Sequence, residues 1–587
     1  MTARVLAATA GILLASSSST RAQQTTTAVT NVTLVRMDRE VVEPRQTVLV
    51  RGDRVAAIGP TDELAVPPEA QVIDGTGRFL LPGLCDAHVH ITTDMPWAPA
   101  RPEFGDAPLY LAHGVTTVVN LRGTPTQLDW KARIERGDLL GPTIYTAGEF
   151  VNEPRLTTAA DVRREVTAQA RDGYDLIKFH EIWNPGGGPS TRSGLSRDAY
   201  LAMFESARQA KLPVVGHVPV HLGLDGLLAS SGGAVAHIGD LSRLHFVLGV
   251  RTLAVTAFMA AVLALVVMSW AASALLGRFW RRNHESPRAP NRARVLFGVV
   301  LILVIPLFLG GSVLGPGGAF HTNSALRLST ALAGLAVLVV VPIAIRTALA
   351  TLRSRSLPGR ALIVLVIAAV SSAALAVMVA LVWLPFLWRN SQPGIDRLAV
   401  RLRDAGIAVQ STLVVYDVVD AAGARRVVAD PVFGSLPPGA RSAWRQVAER
   451  RQSHTTDGAR LPPRLPEFLR GLSLTFQRHG VQVLAGTDAM GVPLVMPGHS
   501  LIRELELLNQ SGLTPYETIR TATINPARFL GREDEFGRIA VASRADFLLL
   551  RRNPLESVTA LREIEGVMVR GTWLSRPRLQ ALLSLLQ

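Results

Sequence analysis

The chain has 587 residues, of which 48% are hydrophobic, and it carries a formal net charge of +15 at pH 7. It is longer than one typical domain, and its single cysteine, Cys85, excludes an intrachain disulfide. Only three of the 61 basic residues are lysines, and many of the arginines lie in two short loops between apolar stretches. This distribution argues against a nucleic-acid-binding face, so we expect no nucleic-acid partner.

The N-terminal segment has the features of a secretory signal peptide. Arg4 precedes an apolar run at 5–15, and a Ser/Thr-rich stretch follows it and ends at Ala22. The apolar run is too short to span a bilayer. The pattern predicts that residues 1–22 are a signal peptide and that the folded part lies outside the cytoplasm.

Residues 27–80 and 531–575 share the alternation of apolar and polar residues that is typical of β-strands. The turn residues Gly52 and Asp53 separate two of these runs. Two β segments at opposite ends of a chain often pair with each other. We therefore expect a small composite β-sandwich made from both chain ends.

Short apolar strands alternate with helical stretches over residues 81–245 and again over 394–530. Repeated β–α units predict a parallel sheet that is covered by helices. Eight strand candidates occur, which predicts an α/β protein with a (β/α)8 TIM barrel built in two parts. In that fold the active site lies at the C-terminal ends of the strands.

The segment 246–393 interrupts the barrel with four apolar stretches, at 250–276, 295–314, 328–349 and 361–388. Each is about long enough to span a bilayer. The first and third connections are rich in arginine, whereas the middle loop, GSVLGPGGAFHTNSA, has no Arg or Lys. The positive-inside rule then predicts four transmembrane helices, with the lipid bilayer as a partner. The expected location is the inner membrane, with the catalytic domain on the periplasmic side.

Metal-ligand side chains stand near the C-terminal ends of several predicted barrel strands. His88 and His90 are two apart on the first strand, so their imidazoles point to the same side. An HxH pair alone occurs often by chance, but four more polar residues end other strands. These are Lys178, His217, His237 and Asp488. Because strand ends converge at the mouth of a barrel, we expect these six side chains to meet there.

With these motifs the sequence resembles the amidohydrolase superfamily, in its imidazolonepropionase-like and prolidase-like branch. The resemblance rests on LPGLCDAHVH, GVTTVVNLRG, LIKFH, VVGHVP, AVAHIG, LAGTD and the tail GLTPYETIRTATINPARFLG, which is followed by GRIAVASRADFLLL. It implies two divalent metal ions, zinc by default. It also implies that Lys178 is carboxylated by CO2 and bridges the two ions. The first ion would be held by His88, His90 and Asp488, and the second by His217 and His237. Asp488 would in addition act as the general base.

Four further residues are candidates for contact with the substrate. His180 follows Lys178 by two residues, Arg122 ends the second strand, and Tyr416 follows the seventh. His499 follows the eighth strand. Each also has a structural interpretation, as a loop, helix-start or supporting residue.

The function that these features predict is hydrolysis of a C–N bond, in an amide or dipeptide, by a metal-activated hydroxide. A lactone or ester hydrolase that uses the same metals is an alternative, and a non-catalytic membrane sensor or scaffold is another. The sequence identifies neither the leaving group nor the oligomeric state.

Overall fold

The structure is a computed structural model that describes residues 26–91, 103–181, 194–219, 222–230, 232–243, 392–419, 421–452 and 465–586. Its strands are β1 (Thr26–Leu34), β2 (Glu43–Arg51), β3 (Arg54–Pro60), β4 (Gln71–Asp74), β5 (Phe79–Pro82), β6 (Leu84–Val89), β7 (Val115–Asn120), β8 (Thr143–Thr146), β9 (Ile177–Phe179), β10 (Val214–Gly216), β11 (Ala234–Val235), β12 (Ala408–Gln410), β13 (Val483–Leu484), β14 (Phe547–Leu550), β15 (Ile564–Val569) and β16 (Thr572–Ser575).

The helices surround these strands. They are α1 (Ala107–Ala112), α2 (Pro125–Arg136), α3 (Ala159–Asp172), α4 (Arg197–Gln209), α5 (Gly223–Ala229), α6 (Ile238–Arg243), α7 (Gln392–Asp404), α8 (Leu413–Val418), α9 (Ala421–Ala429), α10 (Pro438–Gln452), α11 (Leu465–Arg478), α12 (His499–Gln510), α13 (Pro515–Arg520), α14 (Ile524–Phe529) and α15 (Arg576–Ser584). Two 3-10 helices, Pro431–Ser435 and Val558–Arg562, complete the described elements.

Eight parallel strands form a closed ring. β6, β7 and β8 make one sheet, and β9 to β13 make a second. Isolated bridges join the two sheets, between Ala147 and Leu176 on one side and between Val89 and Ala489 on the other. The α/β class predicted from the sequence is thereby confirmed, and the ring is that of a (β/α)8 barrel.

The first two barrel strands are buried on both faces, as expected for a parallel sheet that is enclosed by helices. Every residue of β6 and of β7 is buried. Capping residues in the chain define the limits of the covering helices. For example, α2 begins at a capping box formed by Thr124 and Gln127, and it ends where Gly137 adopts a left-handed conformation.

One eight-stranded sheet combines strands from both ends of the chain, in the order β16-β15-β14-β5-β1-β2-β3, with β4 paired to β1. The strand β14 runs antiparallel to β5, which leads directly into β6 of the barrel. Gly83 stands at this junction, where a Cβ atom would collide with the side chain of Thr116. The sheet is thus continuous in sequence with the first barrel strand and rests against the barrel.

The predicted location in the inner membrane is wrong, because the described helices contradict it. Among these, none is long and apolar enough to cross a bilayer. The longest, α10, has 15 residues, whereas a span needs about 20 apolar ones. The inserted bundle at 246–393 and the bilayer partner therefore have no support, and the four apolar stretches lie outside the described residues. The predicted signal peptide, 1–22, lies outside them as well.

Candidate metal centre

The two histidines of the HxH motif lie where β6 ends. His88 is fully buried and His90 is 7% exposed. The Nδ1 atom of His88 lies 3.1 Å from the carbonyl oxygen of Ala236. A carbonyl oxygen only accepts, so Nδ1 carries the proton and the Nε2 lone pair faces the barrel mouth.

Asp488 follows β13, the last strand of the ring, and lies next to the end of β6. Its backbone is left-handed, with φ of 61°, and its N–H donates to the carbonyl oxygen of His88 at 2.7 Å. The carboxylate atom Oδ1 lies 3.0 Å from Nε2 of His90 and 3.4 Å from Nε2 of His88. One ligand atom from each of the three side chains fits within a span of 4.8 Å. This is the spacing that a single metal ion requires.

A buried carboxylate, Asp86, fixes the strands that carry these ligands. It accepts hydrogen bonds from the Thr487 hydroxyl at 2.6 Å, from the Thr487 N–H at 3.0 Å and from the His88 N–H at 3.2 Å. It thus ties β6 to the segment before Asp488. The sequence interpretation did not include Asp86, although its place two residues before His88 was a signal.

The three remaining candidate ligands adjoin this group. The ring centroid of His237 lies 4.7 Å from that of His88 and 5.0 Å from that of His217. Nε2 of His237 is 3.9 Å from Oδ2 of Asp488. Lys178 is fully buried on β9, and within the described structure its Nζ has no hydrogen-bond partner. The structure therefore brings all six predicted residues to one end of the barrel.

Two contacts that the sequence did not reveal orient the second pair of histidines. Nδ1 of His217 lies 3.2 Å from a carboxylate oxygen of Asp240 on α6. Nδ1 of His237 lies 2.9 Å from the hydroxyl of Thr412. Where the Thr412 hydroxyl accepts from Nδ1 of His237, the Nε2 lone pair of that ring is left to face a metal.

Burial sets the protonation of these groups. It lowers the pKa of His88 to about 4 and that of Lys178 to about 8, and it holds the pKa of His217 well below its usual value. Burial opposes ionisation of Asp488, but the adjacent His88 and His90 outweigh it, and the pKa of Asp488 lies well below its usual range. Neutral imidazoles beside an ionised carboxylate are a ligand set for a divalent transition metal.

Two of the four substrate candidates lie beside this centre. The rings of His180 and His217 are 4.5 Å apart, and His180 also stacks on Phe150 at 4.7 Å. The guanidinium carbon of Arg122 lies 5.5 Å from the Phe150 ring centroid, and Arg122 pairs with Glu149 at 3.4 Å. Phe150, which the sequence interpretation missed, thus joins Arg122 and His180 into one wall.

The other two candidates have different surroundings. The hydroxyl of Tyr416 occupies the space that a side chain at Gly239 would need. Nε2 of His499 lies 3.3 Å from Asp430, and its ring packs edge-on against His113.

A parallel barrel with buried histidines and a carboxylate at the C-terminal ends of its strands defines a metal-dependent hydrolase of TIM-barrel type. The sequence profile of the Amidohydrolase family matches residues 79–273 and 447–574, together more than half of the chain. The chain belongs to the amidohydrolase family. The predicted enzyme class, a hydrolase acting on carbon–nitrogen bonds, is thereby confirmed.

Several curated relatives are adenine deaminases. That of Ruegeria sp. (strain TM1040) is 41% identical over 160 residues, which is 25% of each chain. That of Rubrobacter xylanophilus is 36% identical over 161 residues, 26% of each chain. The alignment thus spans about a quarter of the length of these relatives.

Solved structures resemble the chain over most of its length. A bottromycin amidohydrolase has a TM-score of 0.55 at 19% identity, covering 95% of this chain and 89% of its own. A Xaa-Pro dipeptidase with bound methionine has a TM-score of 0.51 at 14% identity, covering 94% of this chain and all of its own. At this level of identity the likeness shows the fold alone.

Proposed function

We propose that the chain hydrolyses the C–N bond of an amide or dipeptide at a centre for two divalent metal ions, zinc by default. The observation that carries this proposal is the convergence of six N and O donors at the barrel mouth, four of them buried and two, those of His217 and His237, partly buried. We assign His88, His90 and Asp488 to one ion, and His217 and His237 to the other. When bound, the ions polarise the scissile carbonyl and lower the pKa of a water molecule.

Lys178 is the proposed bridge between the two ions, after carboxylation by CO2. A lysine ammonium has no lone pair, so only a neutral or modified side chain can be a ligand. Burial lowers the pKa of Lys178 to about 8 and its Nζ has no hydrogen-bond partner within the described structure. The neutral amine adds CO2 and loses a proton to give a carbamate. Its negative charge would offset part of the charge of the two cations.

Asp488 is the proposed proton carrier. Its carboxylate takes a proton from the attacking water and delivers it to the leaving nitrogen. The left-handed backbone at Asp488 is strained for a residue with a Cβ atom, and strain of this kind is concentrated at functional sites. The bonds broken are an O–H bond of water and the C–N bond. The bonds formed are C–O and N–H.

We further propose that Arg122 and His180, joined by Phe150, form the wall that receives the substrate. Arg122 presents a guanidinium suited to a substrate carboxylate, which favours a dipeptide-like substrate. Tyr416 and His499 stay predictions as substrate contacts. A second candidate function, removal of an amino group from a purine ring, is favoured by the segment that is 41% identical to an adenine deaminase.

The variant Asp488→Asn tests the proposal. Wild-type protein should contain two equivalents of divalent metal and should release amine from a panel of dipeptides and acyl amides. Loss of the base should lower kcat by roughly 10²–10⁴-fold. As a control, Asp396→Asn alters a partly exposed His–Asp pair on the surface and should leave kcat unchanged.

The panel also separates the alternatives. Ammonia release from adenine alone would favour the purine deaminase, and ring opening of lactones without amine release would favour the lactone or ester hydrolase. Near-normal hydrolysis by Asp488→Asn, or wild-type protein free of metal, would contradict the proposed mechanism.

A further inference from the structure

Another buried carboxyl group, that of Glu504 on α12, lies outside the candidate ligand set. Its side chain is completely buried. One carboxylate oxygen accepts a hydrogen bond from the Ser411 hydroxyl at 2.5 Å, and the other accepts one from the N–H of Val414 at 2.6 Å. Both donors flank the start of α8. Burial of a carboxyl group is costly unless hydrogen bonds compensate for the lost water. For Glu504 the hydrogen bonds from Ser411 and Val414, at the beginning of α8, provide this compensation.

The residue that would ordinarily cap α8 does something else. Thr412 occupies the N-cap position, but its side chain makes no capping hydrogen bond. Threonine is a common N-cap because its hydroxyl accepts from the first turn. Here that hydroxyl lies 2.9 Å from Nδ1 of His237 instead. Glu504 accepts from the first turn in its place.

The backbone of Thr412 is also strained. It is left-handed, with φ of 42° and ψ of 38°, a conformation that is an outlier for a β-branched residue. Strain of this kind persists only where neighbouring contacts enforce it. Glu504 supplies such contacts on both sides of Thr412, at residues 411 and 414.

We propose that Glu504 is a positioning residue for the metal centre, and that it acts through Thr412 on His237. By binding the start of α8, the carboxylate frees the Thr412 hydroxyl and aims it at His237. The hydroxyl oxygen accepts the Nδ1 proton, which leaves Nε2 of His237 as the ligand atom. This inference rests on the proposed function in that it takes His237 as a metal ligand.

The test measures metal binding without turnover. Wild-type protein and variants are stripped of metal and titrated with Co²⁺, whose visible absorption reports the ligand set and geometry. Affinity is obtained by competition with a chelator. The variant Thr412→Val removes the hydroxyl and keeps the shape, whereas Thr412→Ser keeps the hydroxyl. Glu504→Gln keeps the shape but replaces one acceptor oxygen with an NH2 donor.

We expect Glu504→Gln and Thr412→Val each to weaken binding of Co²⁺ by roughly 10-fold, within the range for loss of a ligand's hydrogen-bond partner. Both should alter the Co²⁺ spectrum in the same way, whereas Thr412→Ser should give the wild-type spectrum. The double variant Glu504→Gln/Thr412→Val should bind Co²⁺ no more weakly than Thr412→Val alone. The effects of two residues that act through one contact do not add. Glu506→Gln, on the same helix, should leave affinity and spectrum unchanged.

The outcomes are distinct. A Glu504→Gln protein that is less stable but binds Co²⁺ with wild-type affinity and spectrum would overturn the inference while leaving the proposed function intact. Additive effects in the double variant would also overturn it. Wild-type protein that binds no divalent metal would refute the proposed function and the inference with it. If Glu504→Gln does not fold, Ser411→Ala removes one of the two donors, and an unchanged spectrum in that variant would overturn the inference.

Discussion

At the scale of single residues, the carboxylate of Asp240 adjoins His217. Its carboxylate is 7% exposed and lies 3.2 Å from Nδ1 of the ring. Asp240→Asn keeps the size but removes the charge that favours the Nδ1–H tautomer. Such partners typically contribute 10–100-fold to metal affinity. We expect the second equivalent of metal to bind about 10-fold more weakly, measured by titration and elemental analysis.

The control for this experiment is Asp225→Asn, whose side chain is 90% exposed and pairs with Arg401 on the surface. It should bind both equivalents like the wild type. Equal affinity in Asp240→Asn and the wild type would show that His217 is oriented by other contacts.

Residue patterns made part of this centre predictable. His88, Lys178 and Asp488 each stand near the end of an apolar strand, and parallel strands bring such ends together. The supporting contacts were not predictable, because they join segments that are remote in sequence. Thr412 and His237 are 175 positions apart, and nothing local to either residue indicates that they meet. The ligand roles of His88, Lys178 and Asp488 remain predictions, whereas their proximity is a property of the fold.

At the scale of elements, the junction between α1 and α12 should be sensitive to pH through His113. This residue follows α1 and is partly buried, and its Nδ1 lies 2.8 Å from the carbonyl oxygen of Leu109. Burial, and then the neighbouring His499, lower the pKa of His113 to about 4. An unfolded histidine titrates near 6.5. Between these values the unfolded chain binds the extra proton, so the free energy of unfolding falls as pH is lowered from about 6.5 to about 4.

The variant His113→Asn isolates this contribution, because the amide nitrogen of Asn can keep the hydrogen bond to Leu109. Wild type should lose more stability than the variant between pH 7.5 and pH 4.5, by on the order of 1–2 kcal/mol after allowance for partial exposure. Urea unfolding across this pH range measures the difference. His479→Asn serves as a control at a more exposed position, and parallel pH curves for His113→Asn and wild type would contradict the prediction.

The alternation of strands and helices was readable from sequence period, and the α/β class followed from it. The same reasoning failed for location. A run of about 20 apolar residues has the length of a membrane span, but apolar length alone does not identify what covers the run. The described helices α1 to α15 are at most 15 residues long, and α2 begins at the capping box of Thr124.

At the scale of the whole molecule, a buried ion pair joins the eight-stranded sheet to the barrel. The side chains of Arg544 and Asp546 are 2% and 4% exposed and lie 2.6 Å apart. Arg544 also donates to the Thr117 hydroxyl on β7 at 2.9 Å, and the carbonyl oxygen of Asp546 accepts from the N–H of Gly83 at 2.8 Å. The pair therefore couples the C-terminal strands to the first two barrel strands.

Removal of one partner of such a pair leaves an uncompensated buried charge. Arg544→Met should therefore lower the free energy of unfolding by about 3–5 kcal/mol, measured by denaturant unfolding at pH 7. The double variant with Asp546→Asn should recover part of this loss, because it removes the stranded charge and keeps an oxygen for the N–H of Arg570, which now donates to Asp546 at 2.7 Å. The exposed pair of Arg136 and Asp138 is the matched comparison, and Arg136→Met should cost no more than about 1 kcal/mol. If Arg544→Met were as mild as Arg136→Met, the buried charges would not contribute to the coupling of the sheet to the barrel.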